Sequence, residues 1–269
     1  MVTIRQAAKT LAKRIGVTRD RAARARMFSE RHALASVVRN KPRSHGRILC
    51  YHSVGQSDWG VNDVPPELFR RQIQLALHAG FRFVPPSLIA ETGGSAKDLA
   101  VSFDDGLTSV LTNAAPILRD FNIPWSLFVV TGWAEGHHDW ADNVVLKWRE
   151  LETLLSDGVE LGSHSITHPN FGKLEINKAI DELEGSRRTF SDRLGFAPTS
   201  FGIPFGQSAN WTPATHDAAR RAGYEVIYAQ AEETRPPGTI ARTFVTKYDG
   251  DRIFRALLRG AYDRWEEWY

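Results

Sequence analysis

Two adjacent carboxylates and a pair of histidines have the residue types and spacing to perform chemistry. Asp104 and Asp105 directly follow an apolar run at residues 99–103, and His164 and His168 follow another apolar run at residues 159–163. Two histidines four residues apart can point the same way, and one added carboxylate completes a three-ligand metal site with open positions for water. The sequence therefore predicts a divalent-metal site, with Zn²⁺ as the first expectation and Co²⁺, Ni²⁺ or Fe²⁺ also compatible.

The two carboxylates need not have the same task. A metal ion held by one of them lowers the pKa of a bound water towards about 7 and polarises a carbonyl oxygen. The other carboxylate then remains available to accept the proton from that water. Each motif alone also has a structural interpretation, because Asp-Asp-Gly is a common turn signature and paired histidines often satisfy only local hydrogen bonds. Their joint placement after two predicted strands favours a site.

The apolar runs before these motifs belong to a regular alternation of strand and helix patterns. Candidate strands span residues 48–52, 81–84, 99–103, 125–130, 160–163, 200–203, 224–229 and 239–245, and helical patterns span residues 66–79, 114–121, 144–156, 176–194 and 213–222. This alternation predicts an α/β fold with a mostly parallel sheet. Eight strands in about 220 residues favour a distorted or incomplete (β/α) barrel, whose active site collects beyond the carboxyl ends of the strands.

Composition restricts the class of protein. The 269 residues are 42% hydrophobic and 24% charged, which is ordinary for a globular chain with its own core. A single cysteine, Cys50, excludes an internal disulfide framework. No apolar run approaches the length of about 18 residues that a transmembrane helix needs. Because the N-terminus also lacks the apolar core of a signal peptide, we expect a cytoplasmic protein.

The charge is distributed unevenly along the chain. Residues 1–47 hold 13 Lys and Arg against two acidic residues, a balance of +11, whereas the remainder holds 21 against 29, a balance of −8. We therefore expect a basic helical arm with a linker at residues 1–46 and a main domain at residues 47–269. Within the arm, the pattern predicts one helix over residues 4–15 and a second from Arg19 to about Val38, capped by Thr18.

Three interpretations of this arm are open. Its helices can pack on the main domain with their charged faces in water, which is the favoured interpretation. A basic amphipathic segment can instead make peripheral contact with an anionic membrane surface. A spacing over residues 11–18 that is faintly like a helix-turn-helix indicates nucleic acid as a third partner. Nucleic acid is the least expected, because the second helix carries Arg but no Asn or Gln to contact adenine edges.

Several segments together resemble a known family. Residues 102–106, Ser-Phe-Asp-Asp-Gly, and residues 164–169, His-Ser-Ile-Thr-His-Pro, are similar to the first two motifs of the polysaccharide deacetylases, carbohydrate esterase family four. Residues 49–54 resemble the opening strand of the branch with a Tyr-His signature, and residues 201–206 resemble the third motif. Trp140 resembles the aromatic residue that precedes the metal-binding strand. The likeness runs from about residue 47 to the C-terminus.

The resemblance implies a metal-dependent hydrolase on a distorted (β/α) barrel, which removes the N-acetyl group from an amino-sugar-containing saccharide or glycoconjugate. It implies that Asp104 is the general base and that Asp105, His164 and His168 hold the metal. By the family's pattern, the acetamide oxygen of the substrate would bind the metal, and a metal-bound water would attack the carbonyl carbon.

The resemblance also implies roles around this centre. The backbone N–H of Phe205 would help to hold the oxyanion, so a Phe in place of the family's Tyr need not be harmful. Ser165 would brace the histidine loop by hydrogen bonding. Trp140, together with Trp133, flanks a polar loop that could line a sugar site, because pyranose faces stack on indole rings.

The sequence departs from the family pattern at two places. The third motif often begins with an Arg that orients the base, and this chain has Gly202 there; the late histidine that acts as general acid is missing, since no histidine follows His216. We therefore expect His52 to act as the acid and Arg242 to orient a carboxylate or bind substrate. The structural alternatives are that His52 caps its own strand and that Arg242 forms a surface ion pair.

Other functions are compatible with parts of this pattern. A cyclic-amide amidohydrolase of the same superfamily shares the first two motifs. A carbohydrate-binding pseudoenzyme is favoured by the missing late histidine and opposed by the intact Asp104, Asp105, His164 and His168. A non-haem iron oxygenase also uses two histidines and one carboxylate, but it gives Asp104 no clear task and ranks last.

Overall fold

The computed structural model describes residues 19–37, 43–137 and 143–266. Its strands are β1 (Arg47–Tyr51), β2 (Ser53–Val54), β3 (Asp63–Val64), β4 (Arg82–Phe83), β5 (Asp98–Phe103), β6 (Trp125–Val129), β7 (Glu160–Ser163), β8 (Ser200–Gly202), β9 (Val226–Gln230) and β10 (Ile240–Phe244). Its helices are α1 (Arg19–Ser36), α2 (Pro66–His78), α3 (Pro86–Thr92), α4 (Ala115–Asp120), α5 (Thr131–Ala134), α6 (Trp148–Ser156), α7 (Ile176–Leu194), α8 (Pro213–Arg221) and α9 (Asp251–Leu258).

Seven parallel strands close into a barrel in the order β1, β10, β9, β8, β7, β6, β5 and back to β1. The closure lies between β1 and β5, where Arg47 is opposite Leu99 and Tyr51 is opposite Phe103. This confirms the predicted α/β barrel. All eight predicted strands are present, with ends shifted by at most two residues.

One of the eight strands lies outside the closed ring. β4 pairs only with the beginning of β5, with Arg82 opposite Asp98. Pro85 and Pro86 follow almost at once, and their missing N–H groups prevent the strand from continuing along the barrel. The barrel therefore has seven strands, and the eighth predicted strand is a short outer addition.

The predicted helices that lie within the described residues are present, and one of them begins late because the loop before it pairs with another loop. The helix predicted over residues 144–156 begins only at Trp148, because Val145 forms an antiparallel bridge with Leu107. The backbone N–H of Lys147 then donates to Glu150 at 2.8 Å and closes the helix start. Helices α3, α5 and α9 were not predicted. In α9, Ile253, Phe254, Ala256, Leu257 and Leu258 are buried against the barrel.

The N-terminal helix α1 packs on the barrel along a narrow stripe. Met27, Arg31 and Ala35 are its buried residues over positions 23–36, spaced four residues apart, and the helix contacts α9. The predicted helix over residues 4–15 and the cap Thr18 lie outside the described residues. The domain division at residues 46 and 47 and the membrane and nucleic-acid partners stay predictions. Among the described helices, none has the length and apolarity to cross a bilayer.

Candidate active site

The carboxyl ends of the barrel strands surround a cavity of about 200 Å³. Parallel strands end at the same rim, so side chains distant in sequence meet there. The cavity is lined by residues from β1, β9, β10 and the connecting loops, namely Cys50, His52, Trp59, Asn62, Asp104, Asp105, Trp133, His168, Phe205, Gly206, Ala229, Gln230, Arg242 and Phe244.

Asp104 is bound by an arginine that lies far from it in the sequence. Arg242 on β10 donates from Nη1 to Oδ1 at 2.5 Å and from Nη2 to Oδ2 at 2.8 Å. Both side chains are buried. Burial raises the pKa of Asp104, but the charge and hydrogen bonds of Arg242, with smaller effects of His164 and His52, together hold this pKa well below its ordinary value. Asp104 is therefore an oriented, ionised carboxylate.

Asp105 faces both histidines with an oxygen that has no hydrogen-bond partner among the described residues. Its Oδ1 is buried, forms no hydrogen bond, and lies 3.7 Å from Nε2 of His164 and 3.7 Å from Nε2 of His168. The three candidate ligand atoms lie within 4.8 Å of one another. A buried, unsatisfied carboxylate oxygen is costly unless something compensates it. This donor set fits a divalent cation, which would compensate the buried oxygen of Asp105.

The protonation states suit the same interpretation. Burial lowers the pKa of His164 to about 3 and that of His168 to about 4, so both imidazoles are neutral at neutral pH. His164 Nδ1 lies 2.7 Å from the carbonyl oxygen of Gly202 and donates to it, which leaves the Nε2 lone pair directed at Asp105. Burial, together with the negative charge of Asp104, raises the pKa of Asp105 to about 6 in the metal-free protein.

The loops that carry these side chains adopt a rare backbone conformation. Among the described residues, seven non-glycine residues have positive φ, and four of them belong to this site: Asp105 (75°), Ser165 (71°), His168 (59°) and Phe205 (64°). Residues with a side chain adopt this conformation only when the surroundings impose it. Ser165 supplies one such constraint, since its Oγ accepts a hydrogen bond from the His168 backbone N–H at 2.9 Å.

Gly202 explains why the usual position cannot supply the arginine. A Cβ atom on Gly202 would lie 3.1 Å from His164 Nδ1 and 3.1 Å from the ring of Phe128. The close approach allows the hydrogen bond that orients His164, and it leaves no room for a long side chain without rearrangement. Arg242 contacts the carboxylate instead, from a strand two positions round the barrel.

The other predicted site residues are placed as follows. His52 lines the cavity, its ring centroid lies 5.3 Å from that of Phe244, and its Nδ1 is buried without a hydrogen-bond partner among the described residues. Phe205 also lines the cavity, is 38% exposed, and packs edge-on against His168 at 4.7 Å. Trp140 lies outside the described residues, so its predicted contact with the substrate stays a prediction.

Trp59 is a site residue that the sequence analysis missed. Its Nε1 donates to Asp105 Oδ2 at 3.1 Å, which fixes the carboxylate so that the other oxygen faces the histidines. Trp59 lies on a 3-10 helix, Ser57–Asn62, between the paired strands β2 and β3. The only signal in the sequence was a tryptophan within a short turn-rich segment after the first predicted strand.

Cys50 and Phe244 were also missed, although strand periodicity indicates them. Cys50 lies two residues before His52 on one predicted strand, and Phe244 lies two residues after Arg242 on another. Residues two apart on a strand share a face. The Cys50 thiol lies 3.4 Å from Asp104 Oδ2. Burial raises the pKa of this thiol well above its ordinary value, so it is a weak hydrogen-bond donor to Asp104 and not a nucleophile.

Comparison with known proteins identifies the family. The family model for polysaccharide deacetylases matches residues 92–227, just over half of the chain, and this stretch includes both the Asp-Asp and the His-x-x-x-His motifs. The chain belongs to the polysaccharide deacetylase family. This agrees with the resemblance that the two motifs indicate.

Curated relatives of this polysaccharide deacetylase family member are distant. YxkH of Bacillus subtilis is 24% identical over 200 residues, which cover 72% of this chain and 66% of YxkH. The peptidoglycan-N-acetylglucosamine deacetylase PgdA of Listeria monocytogenes is 26% identical over 146 residues, which cover 53% of this chain and 29% of PgdA. The chain thus matches just under two thirds of the first relative and less than a third of the second.

Solved structures share the fold of this family member. The deacetylase PplD of Streptococcus pyogenes superimposes with a TM-score of 0.67 at 19% identity, covering 82% of this chain and 99% of PplD. IcaB of Ammonifex degensii superimposes with a TM-score of 0.65 at 21% identity, covering 81% of this chain and 97% of IcaB. At these identities the likeness shows a common fold.

Proposed function

We propose that this polysaccharide deacetylase family member is a metal-dependent N-deacetylase, which hydrolyses the acetamide of an amino sugar in a saccharide or glycoconjugate. One observation carries the proposal. An ionised carboxylate, Asp104, lies next to the three-ligand set of Asp105, His164 and His168 in one cavity, with Asp104 Oδ2 only 3.8 Å from His164 Nε2. A base next to a metal site is an arrangement that can hydrolyse an amide.

The ligand set favours zinc. Two imidazoles and one carboxylate, with positions left open for water or substrate, are a composition typical of catalytic zinc sites. Co²⁺, Ni²⁺ and Fe²⁺ accept the same donors. When bound, such an ion supplies Lewis acidity, which polarises an amide carbonyl and lowers the pKa of a water towards about 7.

The protein's own residues divide the proton transfers. Asp104 accepts a proton from the attacking water, and Arg242 keeps its carboxylate in one orientation and ionised. His52, which lines the cavity and packs against Phe244, donates a proton to the leaving amine. The backbone N–H of Phe205 stabilises the negative charge that develops on the carbonyl oxygen. Ser165 braces His168 through the hydrogen bond to its backbone.

The cavity lining favours a sugar as the group that carries the acetamide. Trp59, Trp133 and Phe205 provide aromatic surfaces on which pyranose faces stack, and Asn62 and Gln230 provide amides for hydroxyl groups. At about 200 Å³ the cavity is smaller than ordinary ligand pockets. It therefore encloses the acetamido group and part of one ring, and the rest of the saccharide lies outside.

The substrate class can be tested by comparing candidate acetamides as substrates. We would measure acetate release by zinc-reconstituted protein from N-acetylglucosamine oligomers, from peptidoglycan fragments, and from lipid-linked acetamido sugars, with ring opening of cyclic amides measured in parallel. Acetate release from any of the amino-sugar substrates is the expected result. Ring opening of a cyclic amide without acetate release would replace the proposal with the amidohydrolase alternative.

A further inference from the structure

The guanidinium of Arg31 lies in a closed socket between α1 and the barrel. The side chain is 0% exposed, Nε donates to Asp249 Oδ1 at 2.5 Å, and Nη2 donates to Asp249 Oδ2. The Arg31 guanidinium carbon lies 4.2 Å from the ring centroid of Tyr262 and 4.9 Å from that of Trp265. A carboxylate fork and two aromatic rings match the planar, delocalised charge of a guanidinium. The socket is therefore specific for arginine.

The helix depends on this contact for its attachment. Over positions 23–36, Met27 and Ala35 are the other buried residues of α1. Tyr262 Oη donates to the carbonyl oxygen of Arg31 at 2.6 Å, and Trp265 Nε1 donates to Glu30 at 3.1 Å. Leu34 adds a partly buried contact with the core, and the polar contacts around Arg31 fix the position of the helix on the barrel.

The same guanidinium contacts the strand that forms one wall of the active site. Arg31 Nη2 donates to the backbone carbonyl of Phe244, the last residue of β10, at 3.2 Å. The Phe244 ring lines the cavity and packs edge-on against His52 at 5.3 Å. On its other side, the Phe244 ring stacks on Trp265 at 6.2 Å, and Trp265 also covers Arg31. Arg31 thus reaches Phe244 both directly and through Trp265.

The loop after β10 is fixed by the other half of the socket. Asp249 accepts hydrogen bonds from the backbone N–H and the Oγ1 of Thr246, each at 3.0 Å. The next residue back, Val245, donates from its backbone N–H to the carbonyl of Cys50 on β1 at 2.9 Å. The Arg31–Asp249 pair therefore holds the end of β10 from outside, directly behind the cavity wall.

We propose that Arg31 is a positioning residue of the active site. By binding the end of β10, α1 holds Phe244, and through it His52, in the arrangement that proton donation to the leaving amine requires. The inference rests on the proposed deacetylase function, which gives His52 its task. Asp105, His164 and His168 lie on the loops after β5 and β7, so the effect of Arg31 falls on turnover and leaves metal binding intact.

The first test is chemical rescue of Arg31→Ala with guanidinium chloride in the zinc-loaded full chain. Misplacement of a proton donor lowers turnover, so we expect kcat to fall about 10-fold to 100-fold with KM changed less than about twofold. Millimolar guanidinium should refill the socket and restore kcat with saturation, whereas urea or sodium chloride should not. Arg24→Ala, at an exposed position of the same helix, is the matched control and should keep wild-type kinetics. Wild-type kcat in Arg31→Ala would overturn the proposal.

A second variant separates positioning from stability. Arg31→Met combined with Asp249→Asn leaves no unpaired buried charge, and such replacements are often neutral for stability. The carbonyl of Phe244 nevertheless loses its donor. We expect a Tm closer to that of the wild type than Arg31→Ala has, with kcat still reduced. Full recovery of kcat along with Tm would show that Arg31 only stabilises the fold, which would contradict the proposal.

Hydrogen exchange provides a measurement that needs no activity. In Arg31→Ala, the amides of Val245 and Thr246 should exchange faster, while the amide of His164, which donates to the carbonyl of Val129 at 2.8 Å, should stay protected. Unchanged exchange at Val245 and Thr246 would overturn the hold of Arg31 on β10. If exchange changes as expected but the wild-type protein releases no acetate, the contact between Arg31 and β10 is supported and the proposed function is refuted.

Discussion

Arg242 donates hydrogen bonds across the end of β1 to both carboxylate oxygens of Asp104, at 2.5 and 2.8 Å. β10 and β5 both pair with β1, so the two residues are one strand apart in space although 138 residues separate them in sequence. In this chain, the cation that orients Asp104 therefore comes from a strand near the C-terminus. The usual position holds Gly202, whose missing side chain gives His164 the space for its hydrogen bond to the Gly202 carbonyl.

Replacing this arginine is expected to weaken the base. In Arg242→Gln, the guanidinium no longer offsets the burial of Asp104, so the pKa of this carboxyl rises. Because the base acts only when ionised, the acidic limb of kcat/KM should move to higher pH, and kcat at neutral pH should fall about 100-fold or more. The Tm should also fall, since the buried carboxylate loses its partner.

The pH profile of acetate release measures this effect. Arg82→Gln is the matched control, because Arg82 pairs with Asp98 at the opposite end of β5 and lies far from the cavity. The control should keep the wild-type acidic limb. An unshifted limb in Arg242→Gln would show that Arg242 does not set the ionisation of Asp104.

Trp59→Phe is expected to weaken metal binding without emptying the site. The substitution removes the hydrogen bond from Nε1 to Asp105 Oδ2 and keeps the aromatic ring. Loss of a hydrogen bond that orients a metal ligand typically costs about 10-fold to 100-fold in metal affinity. Competition with a chromophoric chelator measures the zinc Kd. Trp133→Phe keeps an aromatic ring against His168 and leaves the hydrogen bond from Trp59 to Asp105 in place, so its zinc Kd should stay near that of the wild type.

His52→Gln is expected to reduce turnover without affecting the metal. His52 lines the cavity and is not one of the three clustered ligands. Loss of a general acid should lower kcat about 100-fold for a saccharide acetamide, whose amine leaves poorly without protonation. An acetyl ester, whose leaving group needs less help, should lose much less. Equal losses for amide and ester would remove His52 from the role of proton donor.

Metal binding should depend on pH with a predictable sign. Asp105 has a pKa of about 6 in the metal-free protein against an ordinary 3.8, so its contribution to stability falls as pH rises between these values. Metal binding requires the ionised carboxylate, so metal affinity increases as pH rises through the same range. The increase in Tm on adding zinc should be larger near pH 7.5 than near pH 5 when measured by thermal unfolding, since protons compete with the ion at about pH 6 and below. In His168→Ala this pH-dependent gain should disappear.

The sequence was most informative where chemistry follows strand ends directly. Asp104, Asp105 and His164 come immediately after β5 or β7, and parallel strands bring their carboxyl ends to one rim. The barrel and the position of this cluster could therefore be predicted. The role of Arg242 in orienting a carboxylate was predicted as one of two options, and the structure places it on Asp104.

The rest depends on contacts that no local pattern shows. Trp59 reaches Asp105 because the two-residue strands β2 and β3 pair around it, and pairs this short have no periodicity. Arg31 looked like one more charge on a solvated helix. Its burial depends on Asp249, which lies 218 residues further along the chain. The positive φ of His168 is likewise imposed by its surroundings and not by its residue type.

The proposed mechanism makes Asp104 a base beside a metal held by Asp105, His164 and His168. Zinc content and acetate release measured together in Asp104→Asn and His168→Ala, with the wild type alongside, test it. We expect Asp104→Asn to bind zinc stoichiometrically but lose acetate release, and His168→Ala to lose both. Wild-type acetate release by Asp104→Asn, or full zinc occupancy and turnover in His168→Ala, would contradict it.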